Sequence, residues 1–352
     1  MNKQEAIQRL IQEGYRIEPG QEFEIDRMKP EDAWGAVRCF YSVYGDEYPF
    51  EVNYVPELLM EENRQKKLQT VVARTPSGDI IACGALFLSS AYSLKVYEVG
   101  QVVVVPEYRS TFAALCIQDY IYRVLAPEED IHTIFGEAVC NHLIIQKMSR
   151  LADFRESGLE VGLMPAAAYP MKDFPGERVS TLLGFKVIQD QPQTVFLPRR
   201  YAAILKSLVD DMDVRRDYQV SEAGIPPGSP TVIQKKLFEF AQVARFNLFR
   251  AGEDFPFRLE AEEQEADQAG CQVKQAFVNL GEAWSGCTVD CLKDHGYFFG
   301  GFLPRWFETD GLLMQKLIRV PDFASIQLES DRSRRILQFI RQDLADHPAG
   351  TG

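Results

Sequence analysis

The sequence predicts an α/β protein in which helices lie on both faces of a mixed β-sheet, and three observations support this class. Short apolar runs of strand length recur along the chain, as in FEIDRM at 23–28 and LQTVVAR at 68–74. Amphipathic segments of helix length separate several of these runs. A Thr-Pro-Ser-Gly turn at 75–78 joins two of them directly, as in a hairpin. Strands that alternate with helices and also form hairpins make a mixed sheet.

The first part of the chain begins with one strand and two helices. After the strand at 23–28, Pro30 starts a helix to about Tyr44, because proline is tolerated in the first helical turn. Pro56 starts a second helix in the same way. The later elements are strands at 68–74, 79–90 and 96–105, a helix at 110–125, a strand at 132–139, a helix at 141–152, strands at 154–165 and 178–188, and a short strand and a helix within 194–209. The predicted order is β-α-α-β-β-β-α-β-α-β-β.

A polar connector follows residue 209. It contains three aspartates at 210–213 and then SEAGIPPGSP at 221–230, which is rich in proline, glycine and serine. The segment after it predicts two strands, an acidic helix at about 255–269, a strand, a helix, two strands and a last helix at about 328–345. The order β-α-β-β thus occurs twice, at an offset of about 143 residues. We predict two domains, 1–209 and 210–352, the second a degenerate copy of the first.

Composition excludes several classes of protein. The hydrophobic content of 46% and the charged content of 25% are typical of a globular chain. A net charge of −13 disfavours a general nucleic-acid or anionic-membrane binder, which would carry the opposite excess. No apolar run has the length of a membrane span, and the charged N-terminal segment lacks the apolar core of a signal peptide. A cytoplasmic location is therefore expected.

The cysteines favour the same compartment. There are seven, an odd number without a C-x-x-C pair, and most lie in apolar contexts that predict buried thiols in a reducing environment. Cys287, Cys291 and His295 form a C-x3-C-x3-H string on a predicted helix. Zinc would need a second half-site with ligand spacing, which does not occur, so helix packing is favoured and no metal is expected.

The segment at 96–125, VYEVGQVVVVPEYRSTFAALCIQDYIYRVL, carries the main functional signal. An apolar strand with one early acid, Glu98, runs into Pro106, and a turn that bears Arg109 leads to an apolar-faced helix. A strand, a turn and a helix N-terminus in this order can hold a phosphate, because the amides of the first helical turn have no partner within the helix and the helix dipole favours an anion. Ser110 and Thr111 suit the helix cap and also a phosphate contact.

These residues resemble the GNAT family of acyl-CoA-dependent N-acyltransferases, in which an acid on the fourth strand precedes V-x-P-x-Y-R. Here Glu98 and VVPEYR at 104–109 match, and the strand, Asn141, helix and aromatic-bearing strand that follow match GEAVCNHLIIQKMSRLADFRESG. The closest likeness is to bacterial GNAT proteins sometimes fused to an anti-sigma-type ATP-binding domain. Their YG-x-x-YP loop, VTxHxxSQK-like segment and PRWF stretch correspond to 44–49, 139–147 and 304–307. The resemblance covers most of residues 23–320.

Two departures from the family pattern stand out. The pyrophosphate turn [QR]-x-x-G-x-[GA] becomes Arg109-Ser110-Thr111-Phe112-Ala113-Ala114, so Phe112 replaces the middle glycine. Glycine lets the backbone approach a phosphate closely, so Phe112 either crowds the ligand or points into the core while its N–H still faces the ligand. The family's usual general-acid tyrosine falls at Ser149, so that acid is missing or is supplied by another group.

The resemblance implies a CoA thioester, most simply acetyl-CoA, as co-substrate and an unidentified amine as acceptor. The predicted cofactor-binding residues are Val103, Val104, Val105, Arg109, Ser110, Thr111, Phe112, Ala113, Ala114 and Asn141. Amides on a splayed strand at 102–105 would polarise the thioester carbonyl. Glu98 and His142 are the predicted catalytic residues, the first as base and the second as acid or base.

Each of these roles has a structural alternative. Glu98 could be edge-exposed or ion-paired, and His142 could be structural. Tyr44, Tyr48 and Phe50 could line an acceptor pocket or simply pack as an aromatic loop. The whole chain could be a GNAT-fold binding or regulatory module that has lost catalysis, or an N-acyltransferase for longer acyl chains. A protein partner or a homodimer is left open.

Overall fold

The computed structural model describes residues 1–168, 176–319 and 322–346, and its chain forms two compact units. Unit 1 contains Met1–Ser89 and Tyr97–Ile131, and unit 2 contains Ser90–Val96 and His132–Gly352. The domain boundary predicted at residue 209 differs from the boundaries of these two units. It stays a prediction about where the duplicated halves of the chain meet. In the described residues, no helix is both long and apolar enough to cross a bilayer.

Unit 1 holds the predicted first half of the element order, in a mixed arrangement of helices and strands. Its elements are α1 (Lys3–Glu13), β1 (Glu24–Arg27), α2 (Ala33–Tyr44), α3 (Pro56–Arg64), β2 (Leu68–Arg74), β3 (Ile80–Phe87), β4 (Val96–Val104), α4 (Ala113–Tyr120), a π-helix (Ile121–Leu125) and α5 (Ala126–Glu128). Strands β1 to β4 are neighbours in sequence order, and the β1–β2, β2–β3 and β3–β4 pairs are antiparallel. The Thr75–Gly78 turn closes the β2–β3 hairpin, as predicted.

Unit 2 completes that order and adds the second part of the chain. Its elements are β5 (Thr133–Val139), α6 (Ile144–Leu151), β6 (Arg155–Pro165), β7 (Arg178–Val187), β8 (Gln193–Leu197), α7 (Ala202–Val209), β9 (Arg216–Val220), β10 (Val232–Phe238), β11 (Val243–Arg250), α8 (Phe255–Gln268), β12 (Val273–Asn279), α9 (Ser285–Asp294), β13 (Phe298–Leu303), β14 (Gly311–Leu317) and α10 (Asp331–Ala345). The mixed α/β class and the order of elements predicted from the sequence are confirmed.

The sheet of unit 2 runs β5-β7-β6-β13-β14-β12-β11-β10. Read outward from β6 and β13, each side has the same arrangement, in which a β-α-β-β segment places its last strand between the other two. The predicted β-α-β-β repeat is therefore present as two segments that meet back to back. The small parallel sheet of β8 and β9 is a feature that the sequence did not predict, and its two strands lie on either side of residue 209.

The two segments meet at a pair of glycines. Gly158 in β6 is opposite Gly301 in β13, and these positions are related by the predicted offset of about 143 residues. A Cβ on Gly301 would lie 2.2 Å from the Cα of Gly158 and 2.6 Å from the carbonyl oxygen of Ser157. Neither neighbour is a flexible side chain, so only glycine allows the two strands to approach this closely.

Replacing Gly301 by alanine is expected to lower the free energy of unfolding by about 3 kcal/mol, at the upper end of the range for overpacking, because the strands must separate. Urea unfolding of Gly301→Ala measures this change. Gly224→Ala is the matched control, since a Cβ there meets nothing within 4 Å. Equal urea midpoints for the two variants would contradict the assigned close contact.

Candidate active site

Strand β4 contains a bulge at the position where the sequence predicts a splayed strand. Cys83 pairs with Val103 and Ala85 with Gly100, so β4 has one residue more than β3 over this interval. Gln101 has a φ of +57°, a left-handed conformation that is uncommon for a residue other than glycine. Bulges re-aim the backbone and occur often beside active sites. A buried amide, Asn53 Nδ2, donates to Gln101 Oε1 at 2.8 Å and supports this conformation.

Beyond the bulge, the N–H groups of β4 alternate in direction. The Val105 N–H donates to the carbonyl of Ile81 at 2.9 Å, so it is not available to a ligand. Since successive amides point to opposite edges of a strand, the N–H of Val104 points away from β3. Val103 and Val105 are buried, and Val104 is partly exposed. Of the three predicted valines, Val104 therefore has an amide that points away from β3, whereas the Val105 amide is occupied by β3; their roles toward a ligand stay a prediction.

The turn after β4 is held in place by one buried side chain, that of Tyr108. Residues Pro106–Tyr108 form a 3-10 helix, and Tyr108 is fully buried. The Tyr108 hydroxyl donates to the carbonyl of Glu18 at 2.7 Å and accepts from the N–H of Gln21 at 3.1 Å. This anchor holds the turn rigidly while the next residues, Arg109 to Phe112, are exposed.

Helix α4 starts at Ala113, three residues later than the sequence predicted, and it becomes a π-helix at Ile121. The Thr111 hydroxyl accepts from the Ala113 N–H at 3.3 Å, so Thr111 provides the expected cap contact. Ser110 is exposed beside it. The following amides of the first turn have no partner within an α-helix and point outward along its axis. Arg109 and these amides form one exposed, electropositive end.

The Phe112 side chain does not enter the core and does not cover the exposed start of α4. Its side chain is 74% exposed, while the following Ala113 is fully buried and Ala114 is partly exposed. The predicted alternative in which the ring points into the core is therefore wrong. The ring projects into solvent at the N-cap position of α4. A phenylalanine there leaves the amides of the turn uncovered and adds an apolar surface beside them.

A cluster of aromatic side chains lies in the same unit as Glu98. The Tyr48 ring contacts those of Phe40, Tyr44 and Phe50 in tilted or edge-to-face arrangements, at ring-centroid distances of 4.8–5.6 Å. Burial raises the pKa of the Tyr48 phenol well above its usual value, and the negative charge of Glu98 adds to this effect. The phenol therefore stays protonated at neutral pH and lies near Glu98. Sequence analysis noted the aromatic loop but did not connect it with Glu98.

Asn141 and His142 belong to unit 2, where they follow β5 as predicted. Asn141 is 4% exposed. The His142 carbonyl accepts from Gln146 at 3.1 Å, whereas its buried Nδ1 has no hydrogen-bond partner among the described residues. Glu98 and the turn at 109–114 lie together in unit 1, so the predicted site residues are divided between the two compact units.

The second half has a corresponding strand–turn–helix segment, β11 to α8, but its helix start is occupied by the chain itself. Asp254, at the N-cap position of α8, accepts hydrogen bonds from the N–H and the hydroxyl of Thr231 at 2.9 and 2.7 Å. A Cβ on Gly252 would lie 1.9 Å from the Ser229 carbonyl oxygen. The Asp254 carboxylate and the backbone at Ser229 therefore occupy the position where a phosphate would bind. This supports the predicted degeneracy of the second half.

A buried ionic network crosses the sheet of unit 2. Arg245 in β11 donates to Glu160 in β6 at 3.0 Å, to Glu137 in β5 at 3.2 Å and to Gln275 in β12 at 2.7 Å. Gln275 and Thr181 also donate to Glu160, each at 2.8 Å. Burial and the neighbouring Glu137 raise the pKa of Glu160 to about 7, although Arg245 opposes this rise. Sequence reasoning missed this network entirely.

The Cys287, Cys291 and His295 string lies on and just after α9. Cys291 Sγ is 3.8 Å from His295 Nδ1, and Cys287 Sγ is directed to the carbonyl of Ala223 at 3.4 Å. In the part of the chain that the structure describes, no group of three or more cysteine, histidine or acidic side chains is arranged to hold a metal ion.

Together, the fold and the site define a mixed α/β protein whose unit 1 has a bulged strand leading into one exposed, electropositive helix start. No protein-family model matches the sequence, and no curated protein matches it significantly. Solved structures of GNAT-family acetyltransferases do show similarity to it.

Three of these structures illustrate the extent of the similarity. A putative GNAT-family acetyltransferase from Desulfovibrio desulfuricans is 13% identical, with a TM-score of 0.37, over 47% of this chain and 99% of that one. Ribosomal-protein-S5-alanine acetyltransferase from Vibrio fischeri is 14% identical, with a TM-score of 0.36, over 49% and 95%. Ribosomal-protein-S18-alanine N-acetyltransferase from Escherichia coli is 12% identical, with a TM-score of 0.37, over 47% and 94%. The similarity spans about half of this chain, and the finer likeness to proteins fused to an ATP-binding domain stays a prediction.

Proposed function

We propose that this chain is an acyl-CoA-dependent N-acyltransferase that moves an acyl group, most simply acetyl, directly to a primary amine. The observation that carries the proposal is the bulged strand β4 running into the exposed start of α4. A bulge re-aims strand amides, which can then face a carbonyl, and a helix start presents amides to a phosphate.

In this proposal the turn binds the CoA part of the thioester. Arg109 pairs with a phosphate by charge-assisted hydrogen bonds, and the exposed Ser110 with the first amides of α4 completes the contact. The Thr111 hydroxyl donates to the Tyr108 carbonyl at 2.7 Å, so it supports the turn rather than the phosphate. Phe112 supplies an apolar surface for the adenine or pantetheine portion. Asn141 belongs to unit 2 and stays a sequence-based candidate for cofactor binding.

The chemistry needs three groups near the reacting carbon. The Val104 N–H polarises the thioester carbonyl, and Glu98 takes the proton that the attacking amine loses. The new C–N bond forms as the C–S bond breaks, and the leaving thiolate takes a proton from the Tyr48 phenol. Tyr48 thus replaces the acid that is absent at Ser149, and His142 stays a candidate acid or base in unit 2.

Only the first half is proposed to bind CoA, because Asp254 and Thr231 occupy the corresponding helix start of the second half. The acceptor is an unidentified primary amine. The acidic chain does not favour a nucleic-acid acceptor.

Calorimetric titration with acetyl-CoA and with free CoA tests the binding step. We expect micromolar binding, and we expect Arg109→Ala to weaken it about tenfold, since a hydrogen bond to a charged group contributes about 1.5–3 kcal/mol. Arg123→Ala is the matched control, because Arg123 lies on the π-helix that continues α4 and pairs with the exposed Asp119. Equal losses in both variants would show that charge alone, and not the turn, attracts the ligand.

Two alternative functions are each favoured by one observation. Phe112 in place of glycine favours a regulatory module without catalysis, which would bind CoA but form no acylated amine. The exposed rings of Tyr44 and Phe50 favour a longer acyl chain. Turnover with a panel of amines, followed by a comparison of acetyl-CoA with longer acyl-CoA thioesters, separates these functions.

A further inference from the structure

Unit 1 contains a cavity of about 290 Å³ that the proposed reaction does not use. It lies where β1 ends at Arg27, so that the start of β2 pairs with β3 on one side and, in the described part of the chain, has no partner strand on the β1 side. Its lining includes residues of α3 and also Leu125 and Glu129, at and beyond the end of the π-helix. A volume of this size is at the lower end of the range for pockets that bind small molecules.

Two adjacent residues of β2, Gln69 and Thr70, line the cavity, and their side chains have different surroundings. The Thr70 hydroxyl and N–H bond to the side chain of Asn63 in α3, so Thr70 faces that helix. Side chains alternate along a strand, so Gln69 faces the opposite side, where Leu125 lies. Gln69 is 7% exposed and lines the cavity, and its amide makes no side-chain hydrogen bond within the described ranges. The Gln69 amide can therefore form hydrogen bonds with a ligand in the cavity.

The charges of the lining favour an anion. Arg27, Arg64 and Lys66 line the cavity, whereas Glu129 is its only acidic lining residue among those described. Glu129 is already paired with both Arg27 and Lys66. Arg64 pairs with the exposed Glu61, outside the lining. Exposed pairs of this kind contribute little, so Arg64 can exchange its partner for a ligand at low cost.

The apolar part of the lining consists of flexible side chains. Met28, Met60 and Leu125 face the cavity together with Pro30. Methionine adapts its shape and packs well against an unbranched chain. We infer that the cavity binds a small organic anion, with its carboxylate or phosphate between Gln69 and the cationic side chains and a short aliphatic chain against the methionines. This site goes beyond the proposed function and does not depend on it.

Methyl spectra of the full chain, labelled with [methyl-13C]methionine, test the inference. The resonances of Met28 and Met60 are assigned with Met28→Leu and Met60→Leu. Titration with hexanoate and with hexyl phosphate should shift both resonances saturably, and the tighter of the two identifies the anionic group. Hexylamine has the same chain with the opposite charge, and it should leave both resonances in place.

A charge variant and its control complete the experiment. The double variant Arg64→Gln/Lys66→Gln removes two exposed cationic groups of the lining and should weaken binding of the tighter anion at least tenfold. Lys67→Gln/Arg123→Gln removes two exposed cations outside the lining and should leave the affinity unchanged. The inference is overturned if neither anion gives a saturable shift, if hexylamine shifts the same resonances, or if both double variants bind equally.

Discussion

Replacing Arg245 by alanine is expected to lower the free energy of unfolding by about 3–5 kcal/mol, the cost of removing one partner from a buried ion pair. Glu160 would keep its hydrogen bonds from Thr181 and Gln275 but would lose its ion pair with Arg245. Glu137 would lose the same guanidinium. Two carboxylates would then share a nearly dry environment, which disfavours their charged forms.

Urea unfolding followed by tryptophan fluorescence measures this loss in unit 2. In a Trp34→Phe background the signal comes from Trp284 and Trp306, which both belong to unit 2. Arg250→Ala is the matched control, because Arg250 lies on the same strand but is exposed. A urea midpoint for Arg245→Ala that equals the control would show that the network contributes no net stability.

The pH dependence of the free energy of unfolding should reflect the titration of Glu160. Its pKa in the folded state is raised to about 7, above the value of about 4.3 in an unfolded chain. The folded state therefore binds more protons between these values, and this group lowers stability as pH rises through the window. Glu160→Gln should gain stability relative to the native chain between about pH 4.3 and 7, with no further gain above it. A constant difference across the window would exclude the raised pKa.

Replacing Glu98 by glutamine is expected to lower kcat for amine acylation by about 10²–10⁴-fold, the usual contribution of a general base. The amide keeps the shape and the polar contacts of the carboxylate but cannot take a proton. The affinity for CoA should not change, because the thioester is held at the turn around Arg109. Steady-state kinetics and calorimetry on the same preparation measure the two effects separately.

The control for Glu98 is Glu107→Gln, which removes an exposed acid from the turn after β4. Tyr48→Phe gives the complementary result, since it should lower kcat by removing the proton donor and leave CoA binding intact. If Glu98→Gln and Glu107→Gln have the same kcat, another group is the base, and His142 becomes the first candidate.

Local patterns were sufficient to predict most elements of this fold. The proline-started helices, the Thr75–Gly78 hairpin and the β-α-β-β repeat all depend on residues close in sequence, and the structure contains them. The bulge in β4 was missed because Gln101 is not a residue that signals a left-handed backbone. Its conformation depends on Asn53, about 48 residues earlier in the chain.

The candidate site residues show the same difference between local and long-range information. Glu98 and Arg109 could be named from the sequence because strand, turn and helix follow each other directly. Tyr48 could not be connected with Glu98, and Glu160 could not be connected with Arg245, because these pairs come from distant segments. A side chain's neighbours across a sheet depend on strand order and register, which one-dimensional spacing does not contain.

The sequence by itself therefore determined the α/β class, the order of the elements and the position of the turn that we propose binds an anion. These follow from periodicity and from the local preferences of proline, glycine and apolar residues. Only the tertiary structure decided that Phe112 points to solvent, that Gly158 meets Gly301, and that the start of α8 is occupied. Each of these depends on which distant backbone comes within a few ångströms, and packing between segments settles that distance.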